Sequence, residues 1–111
     1  MINLILLKVG QPPIYFNQDK SLFNFAELIG ADYFEMVHMP RIPNSLDLIV
    51  DEEGLFKDPK FINAFASYLS GQTLYGDALL TAHDEEGDTL SIDPDQHLQL
   101  MEIYLRWTGS I

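Results

Sequence analysis

The stretch TLYGDALLTAHDEEGDTLSI, residues 73–92, decides the fold. An apolar run passes through a short acidic turn ending in glycine and re-emerges as a second strand-like segment. Parallel neighbours need a connection of a dozen or more residues, whereas antiparallel ones need only a tight turn. The stretch therefore predicts a β-hairpin, residues 73–83 against residues 89–92, and with it an antiparallel sheet.

Upstream, INLILLKV at residues 2–9 is a continuous apolar run closed by GQPP, which predicts a buried strand and a turn. Residues 14–17 predict a short second strand. In DKSLFNFAELIG, residues 19–30, Asp19 or Ser21 is the N-cap, Leu22, Phe25, Ala26 and Ile29 form an apolar stripe, and Gly30 is the stop. ADYFEMVHMP, residues 31–40, alternates as a strand does and ends at a proline. A turn around Pro43 and Asn44 leads to another strand at residues 46–50.

A second helix is expected to start with Asp58 as N-cap and Pro59 at its first position. Phe61, Ile62, Phe65, Ala66 and Leu69 would share its buried face, and Gly71 would end it. A third helix opens at Asp93, with Pro94 first and Gln96 placed for a capping box. Leu98, Met101 and Leu105 form one stripe of it, flanked by Leu100, Tyr104 and Trp107. The fold class that results is α+β: a small, mostly antiparallel sheet with about three helices packed on one face. At 111 residues the chain reads as one globular domain, residues 1–111.

Composition narrows the chemistry. With no cysteine, the chain can form no disulfide, thiolate metal site or cysteine nucleophile, which suits a cytoplasmic location. The N-terminal apolar run is too short, and lacks the basic lead, for a signal peptide or a membrane span. Seventeen acidic residues against six basic give a net charge of −11. From residue 61 to residue 105 there is no Lys or Arg at all. Such a chain is repelled by phosphate, which disfavours direct nucleic-acid binding and favours a basic partner surface. Solubility alone is the plainer reason for an acidic chain.

Asp-Glu-Glu-Gly occurs twice, at residues 51–54 and 84–87. The first copy runs into a helix entry and the second into a strand, so the hydrophobic phase is not kept and the pair is no internal repeat. Counted from Asp84 as a calcium loop, the positions that need Gly and Glu hold Thr89 and Asp95, so that test fails. His38, His83 and His97 show no metal-binding spacing, and there is no nucleophile elbow or phosphate loop. No cofactor, metal or catalytic residue is assigned. Of the aromatic residues, Tyr33, Phe34, Phe56, Phe61, Phe65, Tyr68, Tyr75, Tyr104 and Trp107 read mostly as core by their spacing.

DYFEMV, LDLIVDEEGLF, the Asn63–Ala66 step and LYGDALLTAHDEEGD together resemble the small proteins grouped as domain of unknown function 3846, over roughly residues 32–92. The most specific part is residues 50–54 followed by residues 76–80. Three residues separate Pro59 from Asn63, where the family pattern has a shorter step. The resemblance implies a context rather than an activity: such proteins occur in bacteria, phages and plasmids, where small acidic proteins counter host defence by occupying nucleic-acid-binding surfaces.

The expectation is a non-catalytic, acidic accessory protein that docks on a basic, nucleic-acid-handling host protein. Its contact residues would be Asp51, Glu52, Glu53, Asp84, Glu85, Glu86, Asp88, Asp93 and Asp95. Oligomerisation is compatible with this. The alternatives are a binder that sequesters a small nucleotide-like ligand, and a carboxylate- and metal-dependent enzyme.

Overall fold

The structure, a computed structural model, describes residues 1–19, 24–42 and 45–110. Its frame is an antiparallel sheet. In chain order the strands are β1 (Ile2–Leu7), β2 (Ile14–Gln18), β3 (Phe34–Val37), β4 (Leu46–Asp51), β5 (Ala78–His83) and β6 (Thr89–Leu90). The helices are α1 (Phe25–Leu28), α2 (Ala64–Ser70) and α3 (Pro94–Thr108).

The spatial order is β2-β1-β5-β4-β3, and β6 pairs with the end of β5. The first five residues of β5 are buried, as its place between β1 and β4 requires. The expected hairpin is present, with Ala82 opposite Leu90 and His83 opposite Thr89. It is shorter than the sequence suggested. Residues 74–76 instead meet residues 61–63, through an Ile62–Tyr75 bridge and the bonds Asn63 N–H to Leu74 O (2.9 Å) and Gly76 N–H to Phe61 O (2.8 Å).

The α+β architecture is as expected, and its helices divide between the two faces rather than sharing one. Ile5 and Leu7 of β1, Leu48 and Val50 of β4, and Leu80 of β5 pack with Phe65, Ala66 and Leu69 of α2 and Leu100 of α3. On the reverse face Ile2, Leu4, Ile49 and Leu79 meet Ile29, with Phe25 and Leu28 of α1 packed against them. Two-sided burial follows from two apolar sets on alternating positions, since either set left in water would forgo its hydrophobic stabilisation.

The helix starts differ from the expectations in instructive ways. Asp58 and Pro59 do not begin α2; Asn63 caps it, its Oδ1 accepting from Ala66 N–H at 3.2 Å. Phe61 and Ile62 cannot be helical because their backbone is spent on the bridge to residues 74–76, and their side chains are exposed. Asn24 caps α1, while Asp19 stands just beyond β2. Ser21, Leu22, Pro43 and Asn44 lie outside the described residues.

Helix α3 keeps its expected start: Gln96 N–H donates to Asp93 Oδ1 at 2.8 Å and Asp93 N–H to Gln96 Oε1 at 2.9 Å. Its buried stripe is set one residue from the expected one. Leu100, Ile103 and Tyr104 face the core, whereas Leu98 is exposed.

Candidate functional site

The register of β4 on β5 places the two acidic turns. Leu46 lies opposite Ala82 and Ile49 opposite Leu79, so Asp51 ends β4 beside the entry to β5, whereas Asp84 follows the exit of β5. Seven residues of extended chain separate the two levels, about 23 Å. The nine acids expected to form one surface are thus split between opposite ends of the sheet.

At the first end, which we call the acidic end, the second turn is folded around its own aspartate. Asp84 Oδ1 accepts from the N–H groups of Glu86 and Asp88, both at 2.9 Å, and Asp84 N–H donates to Asp88 O at 2.9 Å. The start of α3 is drawn to the same end, because Ile92 N–H bonds Asn3 O at 2.9 Å and Gln96 Nε2 reaches Ser45 Oγ at 3.4 Å. Asp84 and Asp93 are therefore builders, one of a turn and one of a helix cap. Glu85, Glu86, Asp88 and Asp95 are exposed charges. Oxygen atoms of Asp84, Glu86 and Asp88 lie within 4.8 Å of one another, a spacing that a hard cation tolerates. One oxygen of Asp84 is already engaged by the two backbone N–H groups.

The opposite end carries lysines. Lys57 Nζ pairs with Asp51 Oδ2 and donates to Gly30 O at 3.3 Å. The hydrogen bond to Asp51 raises the Lys57 pKa above the ordinary lysine range, burial opposes this, and the charges of Asp51, Asp32 and Glu53 add to it. Because the folded pKa is raised, the pair's contribution is complete below the ordinary lysine pKa and is lost as pH rises through the folded value. Lys57→Met should therefore flatten the alkaline limb of the stability–pH curve. Urea unfolding between pH 8 and pH 12 measures this, and an unchanged limb would show that the pair does not couple to folding.

Lys60 donates to Leu55 O at 3.3 Å, and its ammonium lies 5.1 Å from the centre of the Tyr75 ring. Asp77 Oδ1 accepts from Val9 N–H at 3.0 Å. Around these groups is an open cavity of about 270 Å³, lined among others by Phe61, Tyr75, Gly54 and Gly76. The three expected contact acids at this end are unlike: Asp51 is ion-paired, while Glu52 and Glu53 are exposed.

Four of the aromatic residues assigned to the core are not in it. Tyr33, Phe34, Phe56 and Phe61 are exposed, whereas Phe65 is buried and Tyr68 and Tyr104 pack against the core. Trp107 is half covered, its ring 5.2 Å from Phe65 and 5.9 Å from Tyr68. Of the exposed four, Phe34 lies on β3 at the sheet edge and Tyr33 just before it, while Phe56 and Phe61 lie in the connection between β4 and α2, outside any strand or α-helix.

The histidines are placed without a shared centre. His83 Nδ1 lies 2.8 Å from Asp47 Oδ2, and His97 stacks on Tyr15 with ring centres 4.2 Å apart. Asp84, the next residue after His83 in the chain, is occupied by its turn. No helix among the described residues is long and apolar enough to cross a membrane.

A family model described as domain of unknown function (DUF3846) matches residues 2–106. The chain belongs to that family. The DUF3846 match extends well beyond residues 32–92, where the sequence motifs first placed the resemblance. Searches of curated proteins and of solved structures find no match. In this DUF3846 fold the two motif segments, residues 50–54 and 76–80, are brought together at the lysine-bearing end. Asp51, Gly54, Gly76 and Asp77 from them all line the 270 Å³ cavity.

Proposed function

We propose that the protein is a non-catalytic binding protein whose acidic end docks on a basic surface of a nucleic-acid-handling protein. One observation carries this: Glu85, Glu86, Asp88 and Asp95 project from one end of the sheet, and no described ion pair ties a Lys or Arg to them. Four of the described cations are engaged elsewhere, Lys57 by Asp51, Arg106 by Glu102, Arg41 by the Tyr68 ring and Lys60 by Leu55 O and the Tyr75 ring. Unneutralised carboxylates on one end create a field that steers a basic partner and sets orientation. The finer reading is that this end competes for a nucleic-acid-binding site, as a mobile-element protein countering host defence would.

The test is affinity capture from a bacterial lysate at low and high salt, using the wild-type chain and the fourfold variant Glu85→Gln, Glu86→Gln, Asp88→Asn and Asp95→Asn. Asp84 and Asp93 are left in place because they hold the turn and the helix cap. A basic nucleic-acid enzyme should be retained at low salt, released as salt rises, and lost with the variant. Retention that ignores both salt and the variant rejects the proposal.

The ligand-sequestering alternative has one observation in its favour, the 270 Å³ cavity with Lys57 and Lys60 on its wall. Both ammonium groups are already engaged, and Asp51 and Asp77 share that wall, so the cavity is poorly arranged for phosphate. Calorimetry against a nucleotide panel decides it, and uniform absence of heat ends it.

A further inference from the structure

Among the described residues β3 pairs with β4 alone, so one row of its backbone N–H and C=O groups has no strand partner. Exposed edges are usually blunted by short length, charged side chains, proline or a bulge. At four residues with one glutamate, β3 has the first two, and it keeps two apolar side chains in the open. It reads Phe-Glu-Met-Val, with Phe34 40% and Met36 58% exposed. Phe34 and Met36 stand on the α1 side of the sheet, in register with Asp51 and Ile49. Glu35, in register with Val50, stands on the α2 side. There Glu35, Leu55, Phe56, Thr73 and Tyr75 line a depression of about 210 Å³.

Charge selects the occupant of this edge. Asp32, Glu35, Glu52 and Glu53 are exposed beside it, and Lys57 is held by Asp51. A second copy laid edge to edge would bring these carboxylates towards their own equivalents, and like charges across a strand pair are destabilising. A cationic segment is attracted instead.

The geometry points to strand addition: the free edge of β3 takes an extended segment of a partner protein with the pattern apolar–basic–apolar. The backbone supplies the ladder hydrogen bonds, and alternate side chains give the specificity. The basic side chain enters the depression beside Glu35, where the exposed Phe56 offers a ring face, the Tyr75 ring already carrying Lys60. Its apolar neighbours lie over Phe34 and Met36. This deepens the proposed function by giving the basic partner a second contact, and rests on that reading only for the sign of the partner's charge.

The probe is a capped seven-residue peptide alternating valine and arginine, titrated against the full chain by fluorescence anisotropy. Saturable binding is expected, and Glu35→Lys should weaken it about tenfold while the fourfold acidic-end variant leaves it within about twofold. The counterpart alternating valine and glutamate should prefer Glu35→Lys to wild type. Of two N-methylated forms, one on each alternate set of amides, one should lose binding and the other keep it. Circular dichroism on Glu35→Lys and Glu35→Gln establishes that both variants fold. Equal binding by both N-methylated forms, or equal loss in the acidic-end variant, overturns strand addition in favour of unspecific charge attraction. A sedimenting dimer that blocks peptide binding overturns it in favour of a second copy. If the acidic-end variant keeps its partner in the lysate capture while the peptide still needs Glu35, the proposed docking end is wrong and the edge stands.

Discussion

Replacing Asn63 by alanine is expected to cost about 3–5 kcal/mol and to lower the melting temperature by about 10–20 °C. Asn63 is only 3% exposed, and its amide joins three elements. Its Nδ2 donates to Leu7 O at the end of β1 (2.8 Å) and to Gly76 O before β5 (3.0 Å), while Oδ1 caps α2 through Ala66 N–H. The alanine leaves two carbonyls without their donor and removes the cap. Nothing of similar size can take over, because a side chain needs both a donor and an acceptor here.

Asn63→Asp separates these roles. The aspartate keeps an acceptor for Ala66 but turns an oxygen towards the carbonyls of Leu7 and Gly76, so it should be at least as damaging as alanine. Thermal unfolding followed by circular dichroism measures all three proteins. A loss below about 1 kcal/mol in Asn63→Ala would show that the junction is held elsewhere.

Asn63 also shows why the fold was more legible than the site. Strand and helix periodicities are local, and β1, β4, β5, the hairpin and the α3 capping box could all be read from neighbouring residues. The start of α2 could not. Asp58-Pro59 is a good local helix signal, and it lost to Asn63 because residues 61–63 find partners in residues 74–76. The same non-local pairing exposes Phe61 and Ile62, which a helical phase would have buried. Charge was legible as a total but not as a distribution. Only the β4–β5 register reveals that Asp51 and Asp84 are at opposite ends, and that one carboxylate pairs with a lysine while the other folds its own loop.

The two copies of Asp-Glu-Glu-Gly should therefore respond differently to one substitution. Gly54→Ala is expected to cost about 2–3 kcal/mol. Gly54 is buried, and a Cβ built on it would lie 2.8 Å from Tyr75 O, closer than such contacts occur. Neither backbone moves aside easily, since the Tyr75 segment is fixed by the Ile62 bridge and by Asn63 on Gly76 O. Gly54 does not have a positive φ, so the cost is one of space and not of backbone conformation.

At Gly87 the reverse holds. Its φ is +87°, and nothing lies within 4 Å of the added Cβ. Gly87→Ala should cost about 1–2 kcal/mol through the strain of the left-handed region alone. Urea denaturation of the two variants compares them directly. The larger loss at Gly54 would show that the first turn is wedged against residues 74–76. Equal losses would mean that the close approach to Tyr75 relaxes and that the first turn is as loosely packed as the second.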